Sequence, residues 1–152
     1  MASGWYLQGL LKILDGTIDL DTATIKIMLV KAAYTYDPDH DQVSDISGNE
    51  ISATNYTGGF GGGGRKTASI TMQVTTASNR VDIAIGDLTW TALGGVSNDT
   101  PAAAVVIFET GGADSASIPI AYLDFTDTAT NGGNYGLDMA ALGSGGNLQI
   151  AA

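Results

Sequence analysis

The sequence predicts an all-β fold, a β-sandwich or jelly roll of about eight short antiparallel strands with one short N-terminal helix. Three observations lead to this prediction. Several short segments alternate between polar and apolar residues, glycine and asparagine separate these segments, and one stretch has apolar residues at helical spacing. The 152 residues contain no internal repeat and no linker, so we expect a single β-sandwich domain over 1–152.

The predicted helix covers residues 3–14. Ser3 is available as its N-terminal cap, and Asp15-Gly16 supplies a stop signal. The stretch is too short to span a bilayer, contains Lys12, and lacks the preceding positive charge of a signal peptide, so we expect neither a membrane segment nor a leader. The helical spacing comes from four leucines: Leu7, Leu10, Leu11 and Leu14.

Almost all the remaining regular elements are predicted strands. Segments 102–108 and 117–125 are apolar on both faces, so we expect them to pair at the centre of two packed layers. Residues 131–134 are Asn and Gly, which tolerate positive φ and predict a hairpin turn. The other predicted strands are 24–31, 67–75 and 80–85 joined as a hairpin by Ser78-Asn79, 87–91 with Leu88 and Trp90 inward, 135–139 and 148–150.

A long loop over residues 32–64 interrupts this series of strands. Its predicted regular features are a helical turn at 41–46 and a short extended piece at 50–53. A connection of this length in a compact domain is usually functional or forms an interaction surface. We therefore predict that the helix 3–14 and the loop 32–64 are interaction elements.

The loop ends in a glycine-rich run, 55–66, that is similar to a phosphate-binding loop. A phosphate-binding loop leads into a helix, whose N-terminal N–H groups hold the anion. Here an alternating strand follows, and Arg65 separates Gly64 from Lys66. We therefore expect no nucleotide and interpret the run as a pliable arm that lies along a partner's backbone, with its two bases at the hinge.

Catalytic residues are scarce in this sequence. His40 is the only histidine, there is no cysteine, and no Gly-x-Ser-x-Gly elbow joins a strand to a helix. Nucleophilic catalysis needs a base beside the nucleophile and a third group that orients the base. We therefore predict that the chain is not an enzyme.

Three aspartates around His40 alternate like the first ligands of a calcium loop. Gln42 and Gly48 stand where such a loop needs glycine and glutamate, so the calcium motif fails. A solvated turn begun by Pro38 and a weak cation site are the two interpretations, and no cofactor is predicted. The three aspartates are Asp37, Asp39 and Asp41.

Charge limits the kinds of partner. Charged residues make up 14% of the chain, against about 25% in typical soluble proteins, which leaves few charges to keep copies apart. The net charge is −10, and all six bases precede residue 81. Because nucleic-acid binding depends on neutralising phosphates, we expect no nucleic-acid partner.

Aromatic residues are concentrated in the first third of the chain. Spread over a loop, such residues can anchor an interface, or they can form a small core beneath the loop, and the sequence leaves both open. The only adjacent pair of bases follows them. The predicted partner-contact residues are Trp5, Tyr6, Tyr34, Tyr36, Tyr56, Phe60, Arg65 and Lys66.

Five segments, spread over most of the chain, carry a family resemblance. They are Leu10-Leu11-Lys12 with Asp19-Leu20, Ile25-Lys26-Ile27-Met28-Leu29, Ile51-Ser52-Ala53-Thr54-Asn55-Tyr56-Thr57-Gly58-Gly59, Leu88-Thr89-Trp90-Thr91, and Ile120-Ala121-Tyr122-Leu123-Asp124-Phe125 before Asn131-Gly132. In this order they resemble small structural proteins of tailed bacteriophages, in particular the capsid decoration or cement proteins. The resemblance implies a β-sandwich homotrimer on the outer surface of a capsid, where it bridges subunits of the major capsid protein.

We therefore expect a non-enzymatic virion protein whose partners are the major capsid protein and copies of itself, with no membrane and no small-molecule substrate. An exterior position suits the net charge of −10, because an interior surface would face packed DNA. The alternative is a tail or fibre component that binds a host-surface glycan through exposed aromatic residues and carboxylates. An enzyme is the third possibility.

Overall fold

The computed structural model describes residues 3–139 and 148–151. They form antiparallel β-sheets and one short α-helix, which confirms the predicted all-β class. The helix α1 is Leu7–Leu14, and the strands are β1 Gly4–Trp5, β2 Ile25–Lys31, β3 Lys66–Thr67, β4 Ile70–Thr75, β5 Arg80–Ile85, β6 Leu88–Trp90, β7 Pro101–Phe108, β8 Ile118–Asp124, β9 Tyr135–Leu137 and β10 Leu148–Ala151. The ends of the predicted domain, residues 1–2 and 152, and the segment 140–147 lie outside the described residues.

A five-stranded sheet forms the middle of the molecule, in the order β1-β8-β7-β2-β3. The predicted pairing of the two apolar segments is confirmed, since β7 and β8 are antiparallel neighbours with Val105 opposite Tyr122. Strand β7 also pairs with β2 on its other side. Every residue of β7 from Pro101 to Ile107 is buried, because both faces of this sheet are covered.

The main core lies between one face of this sheet and two smaller β elements. These are the three-stranded sheet β10-β5-β4 and the two-stranded ribbon β6-β9. Ile27 and Leu29 from β2 meet Ile83 from β5 and Trp90 from β6 in this core. The predicted inward orientation of Trp90 is confirmed, and two β layers pack face to face as in a sandwich.

A second core lies on the opposite face of the five-stranded sheet. Met28 and Val30 alternate with the residues that face the main core, and they pack against the long loop. Val43 and Ile46 of the loop are fully buried there. The helical turn predicted at 41–46 is present as a 3₁₀ turn at Val43–Asp45, followed by another at Ser47–Asn49.

The N-terminal helix is shorter than predicted. It begins at Leu7, because Gly4–Trp5 forms β1 and pairs with β8. Ser3 does not cap the helix, and its Oγ instead accepts a hydrogen bond from the Asp124 N–H at 3.1 Å. The predicted stop is confirmed, since Gly16 has a φ of 79° directly after the helix.

Three strand predictions were wrong in detail. The segment 67–75 is divided, because β3 pairs with β2 in the five-stranded sheet and β4 pairs with β5 in the other layer. The piece 50–53 contributes only isolated bridges, such as Val30 to Glu50. The turn at 131–134 does not join β8 to β9 as a hairpin, because β9 pairs with β6.

Candidate functional site

Arg65 joins two segments of the chain that are far apart in sequence. Its Nε and Nη2 donate to the two carboxylate oxygens of Glu50 at 2.9 and 2.8 Å, and its Nη1 donates to Asp114 Oδ1 at 2.6 Å. The Phe60 ring centre lies 4.5 Å from the guanidinium carbon. The side chains of Arg65 and Glu50 are 1% and 8% exposed, so this two-bond ion pair is largely removed from water. Arg65 therefore fixes the long loop to the β7–β8 connection.

Hydrogen bonds, neighbouring charges and burial shift the pKa of three groups in this cluster: Arg65, Asp114 and Tyr56. Burial by itself lowers the pKa of Arg65, but the hydrogen bonds and charges of Glu50 and Asp114 outweigh it and raise that pKa above its ordinary value. The same hydrogen bonds lower the pKa of Asp114. Burial and the neighbouring Glu50 charge raise the pKa of Tyr56, whose hydroxyl donates to Glu50 Oε1 at 2.9 Å. This arrangement is suited to holding structure, because proton transfer needs a group with a pKa near the working pH.

The glycine-rich run is packed against the body of the protein. A Cβ on Gly64 would lie 2.6 Å from a ring carbon of Tyr56, and one on Gly62 would lie 2.1 Å from the Thr57 carbonyl oxygen. The Gly64 carbonyl accepts a hydrogen bond from Trp90 Nε1 at 2.5 Å. At Gly62 and Gly64 the predicted pliable arm is therefore wrong, and glycine is required because the backbone folds closely onto its own preceding residues. A Cβ on Gly61 or Gly63 would meet nothing within 4 Å, so the run is open at these two positions.

A cluster of tyrosines covers the outer face of the five-stranded sheet. The hydroxyls of Tyr6 and Tyr34 are 2.9 Å apart, and the Tyr34 hydroxyl is 3.0 Å from His40 Nδ1. The rings of Tyr36 and Tyr122 stack with their centres 5.0 Å apart. Burial raises the pKa of Tyr6 above its ordinary value and that of Tyr122 to about 12. His40 therefore completes a hydrogen-bonded chain of side chains beneath the loop.

The aspartates near His40 form a local turn. Asp37 Oδ1 accepts a hydrogen bond from the Asp39 N–H at 3.0 Å, and the Asp37 carbonyl accepts one from the His40 N–H at 3.3 Å. This geometry is that of the predicted solvated turn. Within residues 3–139 and 148–151, no group of three or more His, Cys, Asp or Glu side chains is placed to hold a metal ion.

The eight predicted contact residues fall into two groups. The first group was predicted to contact a partner at the surface, and the structure corrects this prediction. Its side chains join the long loop to the sheet and are buried, so they have almost no exposed surface for a partner. Its members are Tyr6, Tyr34, Tyr56 and Arg65. The second group is partly exposed and consists of Trp5, Tyr36, Phe60 and Lys66. For the buried aromatic residues, the core interpretation is therefore correct.

The most exposed apolar side chains near the N-terminus lie on helix α1. Leu7, Leu11 and Leu14 are each more than half exposed. Their i, i+4, i+7 spacing places them on one face, which we call the leucine stripe. Gly9 and Ile13 lie on the other side of the helix, where a Cβ on Gly9 would lie 2.4 Å from the Pro119 carbonyl oxygen. The helical spacing of the leucines predicted the helix from the sequence, but it did not predict which face of the helix is buried.

A second exposed apolar area lies on the β4–β5 hairpin. Met72, Val74 and Val81 are 40%, 71% and 36% exposed and share one face of the hairpin. A cleft of about 420 Å³ separates this face from the C-terminal end of α1. Ile13, Gly16, Ile18, Asp19, Leu20 and Met72 line the cleft. The alternation of 67–75 predicted the strand, but it gave no sign that the outer half of its apolar face is uncovered.

An open cavity of about 680 Å³ lies beside the β6–β9 ribbon. Its lining combines two aromatic rings with polar groups, and burial raises the pKa of Tyr135 to about 12. The polar and aromatic lining residues are Asp124, Phe125, Thr126, Thr128, Asn134 and Tyr135.

In the described part of the chain, no helix has the length and apolar character needed to cross a membrane. Comparison of the chain with protein-family models, curated protein sequences and solved structures gives no match.

Proposed function

We propose that this chain is a non-enzymatic structural protein of a tailed-bacteriophage virion, which decorates the outer surface of the capsid and bridges subunits of the major capsid protein. The leucine stripe of α1 is the observation that carries this proposal. Three leucines on the solvent side of a short helix expose a contiguous apolar surface. Such surfaces on soluble proteins mark sites of interaction with a partner. An amphipathic helix with this spacing fits an apolar groove on a partner.

Two groups of hydrogen-bonded ionisable side chains support a structural role. Arg65, Glu50 and Asp114 satisfy one another, and His40 is bonded to Tyr34. Nucleophilic catalysis needs a nucleophile beside a base and a third group that orients the base. The hydroxyl beside His40 is that of Tyr34, which is buried. These groups instead rigidify the loop layer, which keeps α1 and the sheet in a fixed relation.

Decoration does not require each contact to be tight. If copies are linked, their combined avidity can exceed a single affinity by roughly 10²–10⁴. Binding to the assembled lattice in preference to free subunits then stabilises the lattice by mass action. Any symmetric oligomer on the outer surface would supply such linkage, whether a homotrimer, as the sequence resemblance implies, or a dimer.

The test is binding to capsids that lack the protein. Leu11→Lys places a charge in the middle of the stripe, and Gln8→Lys is its control on the same helix but outside the stripe. Leu11 is 53% exposed, so losing the burial of its exposed half costs about 0.8–1.6 kcal/mol, which corresponds to about a four- to fifteenfold loss of affinity. We expect L11K to reduce capsid occupancy and lower the rupture temperature of the particles, and Q8K to do neither. Unchanged occupancy with L11K would contradict the proposal.

A second candidate function rests on the cavity beside the β6–β9 ribbon. The rings of Phe125 and Tyr135 next to the Asn134 amide and the Asp124 carboxylate form a combination that suits a sugar. A tail or fibre component that binds a host-surface glycan would use such a site. Glycan-array binding by the isolated protein, abolished by Asn134→Ala together with Tyr135→Ala, would favour this function over capsid decoration.

A further inference from the structure

The outer edge of β4 is an open sheet edge in the described structure. In the sheet β10-β5-β4, strand β4 pairs with β5 on one side, and no described strand lies on the other. Two exposed apolar residues, Met72 and Val74, lie on this strand. An edge of this kind can accept another strand.

The direction of the backbone groups makes this edge suitable for pairing. The Gly86 N–H donates to the Ser69 carbonyl at 3.0 Å, so Ser69 and Gly86 form a hydrogen-bonded pair. The register from β4 to β5 then continues without a shift, which points the N–H and C=O groups of Thr71 and Gln73 toward β5. The N–H and C=O groups of Met72 and Val74 therefore point outward.

Within the described residues, this edge carries no charge, proline or bulge of the kind that prevents strand addition. Edge strands are normally kept short, or they carry charges, proline or a bulge. Residues 67–79 contain no charged residue and no proline, and the β4–β5 register has no bulge. The edges of the five-stranded sheet are different, because β1 and β3 have two residues each.

We propose that a second copy of this chain pairs with β4 in antiparallel orientation, with Met72 opposite its counterpart in the other copy. The strand itself does not oppose this occupant, because residues 67–79 carry no charge, so two copies that are each −10 overall meet at β4 without opposing carboxylates. The register is also self-complementary. With Met72 opposite itself, Ile70 of each copy faces Val74 of the other, and all of these residues direct hydrogen-bonding groups outward.

The pairing would also bring the exposed apolar faces of the two copies side by side. Paired residues of antiparallel strands place their side chains on the same side of the sheet, so Met72, Val74 and Val81 of both copies would form one continuous apolar surface. The cleft beside Met72, lined by Ile13, offers space for an apolar side chain of the other copy. When β4 of one copy pairs with β4 of the other, neither copy keeps a free β4 edge. The contact therefore produces a dimer and cannot extend to further copies. The contact is independent of capsid binding, and the dimer can be tested without capsids.

Sedimentation equilibrium of the full chain tests this contact. We expect a mass twice the 15.5 kDa of the chain. Met72→Lys places two ammonium groups opposite each other, so we expect the dimer dissociation constant to rise about tenfold or more. Thr71→Lys is the control, since Thr71 lies on the opposite face of the same strand. Unchanged far-ultraviolet circular dichroism shows that both variants fold.

Disulfide trapping tests the register. The chain has no cysteine, so Met72→Cys introduces a single thiol that meets its counterpart across the two-fold axis. We expect rapid formation of a covalent dimer under mild oxidation. Val96→Cys, at a side chain that is 98% exposed, is the control for random collisions.

Three results would overturn the proposal. They are a monomeric mass at high micromolar concentration, cross-linking of M72C no faster than that of V96C, and a trimer or larger assembly that M72K does not change. None of these results bears on whether the leucine stripe binds a capsid, so failure of the dimer and failure of capsid decoration can be distinguished.

Discussion

Arg65 and Glu50 form a two-bond ion pair across 15 residues of the long loop, with Nε to Oε1 at 2.9 Å and Nη2 to Oε2 at 2.8 Å. The Gly59 N–H also donates to Glu50 Oε2 at 3.2 Å. The Glu50 carboxylate thus binds the glycine-rich run at two points, the Gly59 N–H and the Arg65 guanidinium. The loop therefore behaves as a structural layer over the sheet, and its order depends on a few polar contacts together with a small core.

Removing the Arg65 side chain should destabilise the protein strongly. Arg65→Ala leaves the buried Glu50 carboxylate without its ion-pair partner, and loss of one member of a buried pair costs about 3–5 kcal/mol. Lys66→Ala is the matched control, because Lys66 is the adjacent base and is only partly buried, so we expect a change within about 0.5 kcal/mol. The free energy of unfolding in urea measures both. Equal effects of the two variants would show that Arg65 does not fix the loop.

The ion pair with Asp114 should make stability depend on acid pH. The Arg65 hydrogen bonds lower the pKa of Asp114, so the stabilisation is present above the unfolded value of about 3.9 and is lost as the pH falls through the lowered folded value. When the pH is lowered from neutral to below the unfolded pKa of Asp114, the free energy of unfolding should therefore decrease less in Asp114→Asn than in the unmodified chain. Asp127→Asn, at an exposed site, is the control. An acid dependence identical to that of the unmodified chain would contradict this assignment.

Two glycines of the same run should respond differently to alanine. Gly64→Ala forces a Cβ to within 2.6 Å of Tyr56 and 2.7 Å of the Thr57 carbonyl oxygen, and such overpacking costs about 1–3 kcal/mol. Gly61→Ala meets open space, so we expect a change within about 0.5 kcal/mol. Thermal unfolding of both variants provides the comparison. If both glycines tolerate alanine, the run is not packed as described.

Alkaline pH should unfold the tyrosine cluster. Burial raises the pKa of Tyr6 and Tyr34 above their ordinary value, and raises that of Tyr122 to about 12. Because the folded values exceed the unfolded value of about 10, the stabilisation is complete below that pH and is lost as pH rises through the folded values.

Ultraviolet titration of the phenolate groups tests this expectation. We expect native protein to ionise late and to unfold as it does so, whereas protein in urea should titrate near its ordinary value. A native titration that matches the one in urea would show that the rings are accessible to solvent.

The local elements followed from sequence patterns. Alternation identified β5 and β6, apolar runs identified β7 and β8, and Asp15-Gly16 marked the end of α1. These predictions succeeded because side-chain period and turn chemistry are properties of neighbouring residues. The sequence also predicted that a strand and not a helix comes after the glycine-rich run, and β3 begins at Lys66, the last residue of the run.

Whether each side chain is buried or exposed depended on contacts between segments that are distant in the sequence. From the sequence, Tyr6 and Tyr56 were predicted to contact a partner at the surface. In the structure, the Tyr6 hydroxyl is instead hydrogen-bonded to Tyr34 and the Tyr56 hydroxyl to Glu50, inside the fold. Conversely, Met72 belongs to an apolar alternation that predicts burial, and it is exposed because β4 lies at a sheet edge. The sequence by itself determined most strands and the presence of the short helix, but not β1, which lies inside the predicted helix, or the division of 67–75 between two sheets. Only the tertiary structure decided which faces are covered, because burial is fixed by what packs against an element and not by its own periodicity.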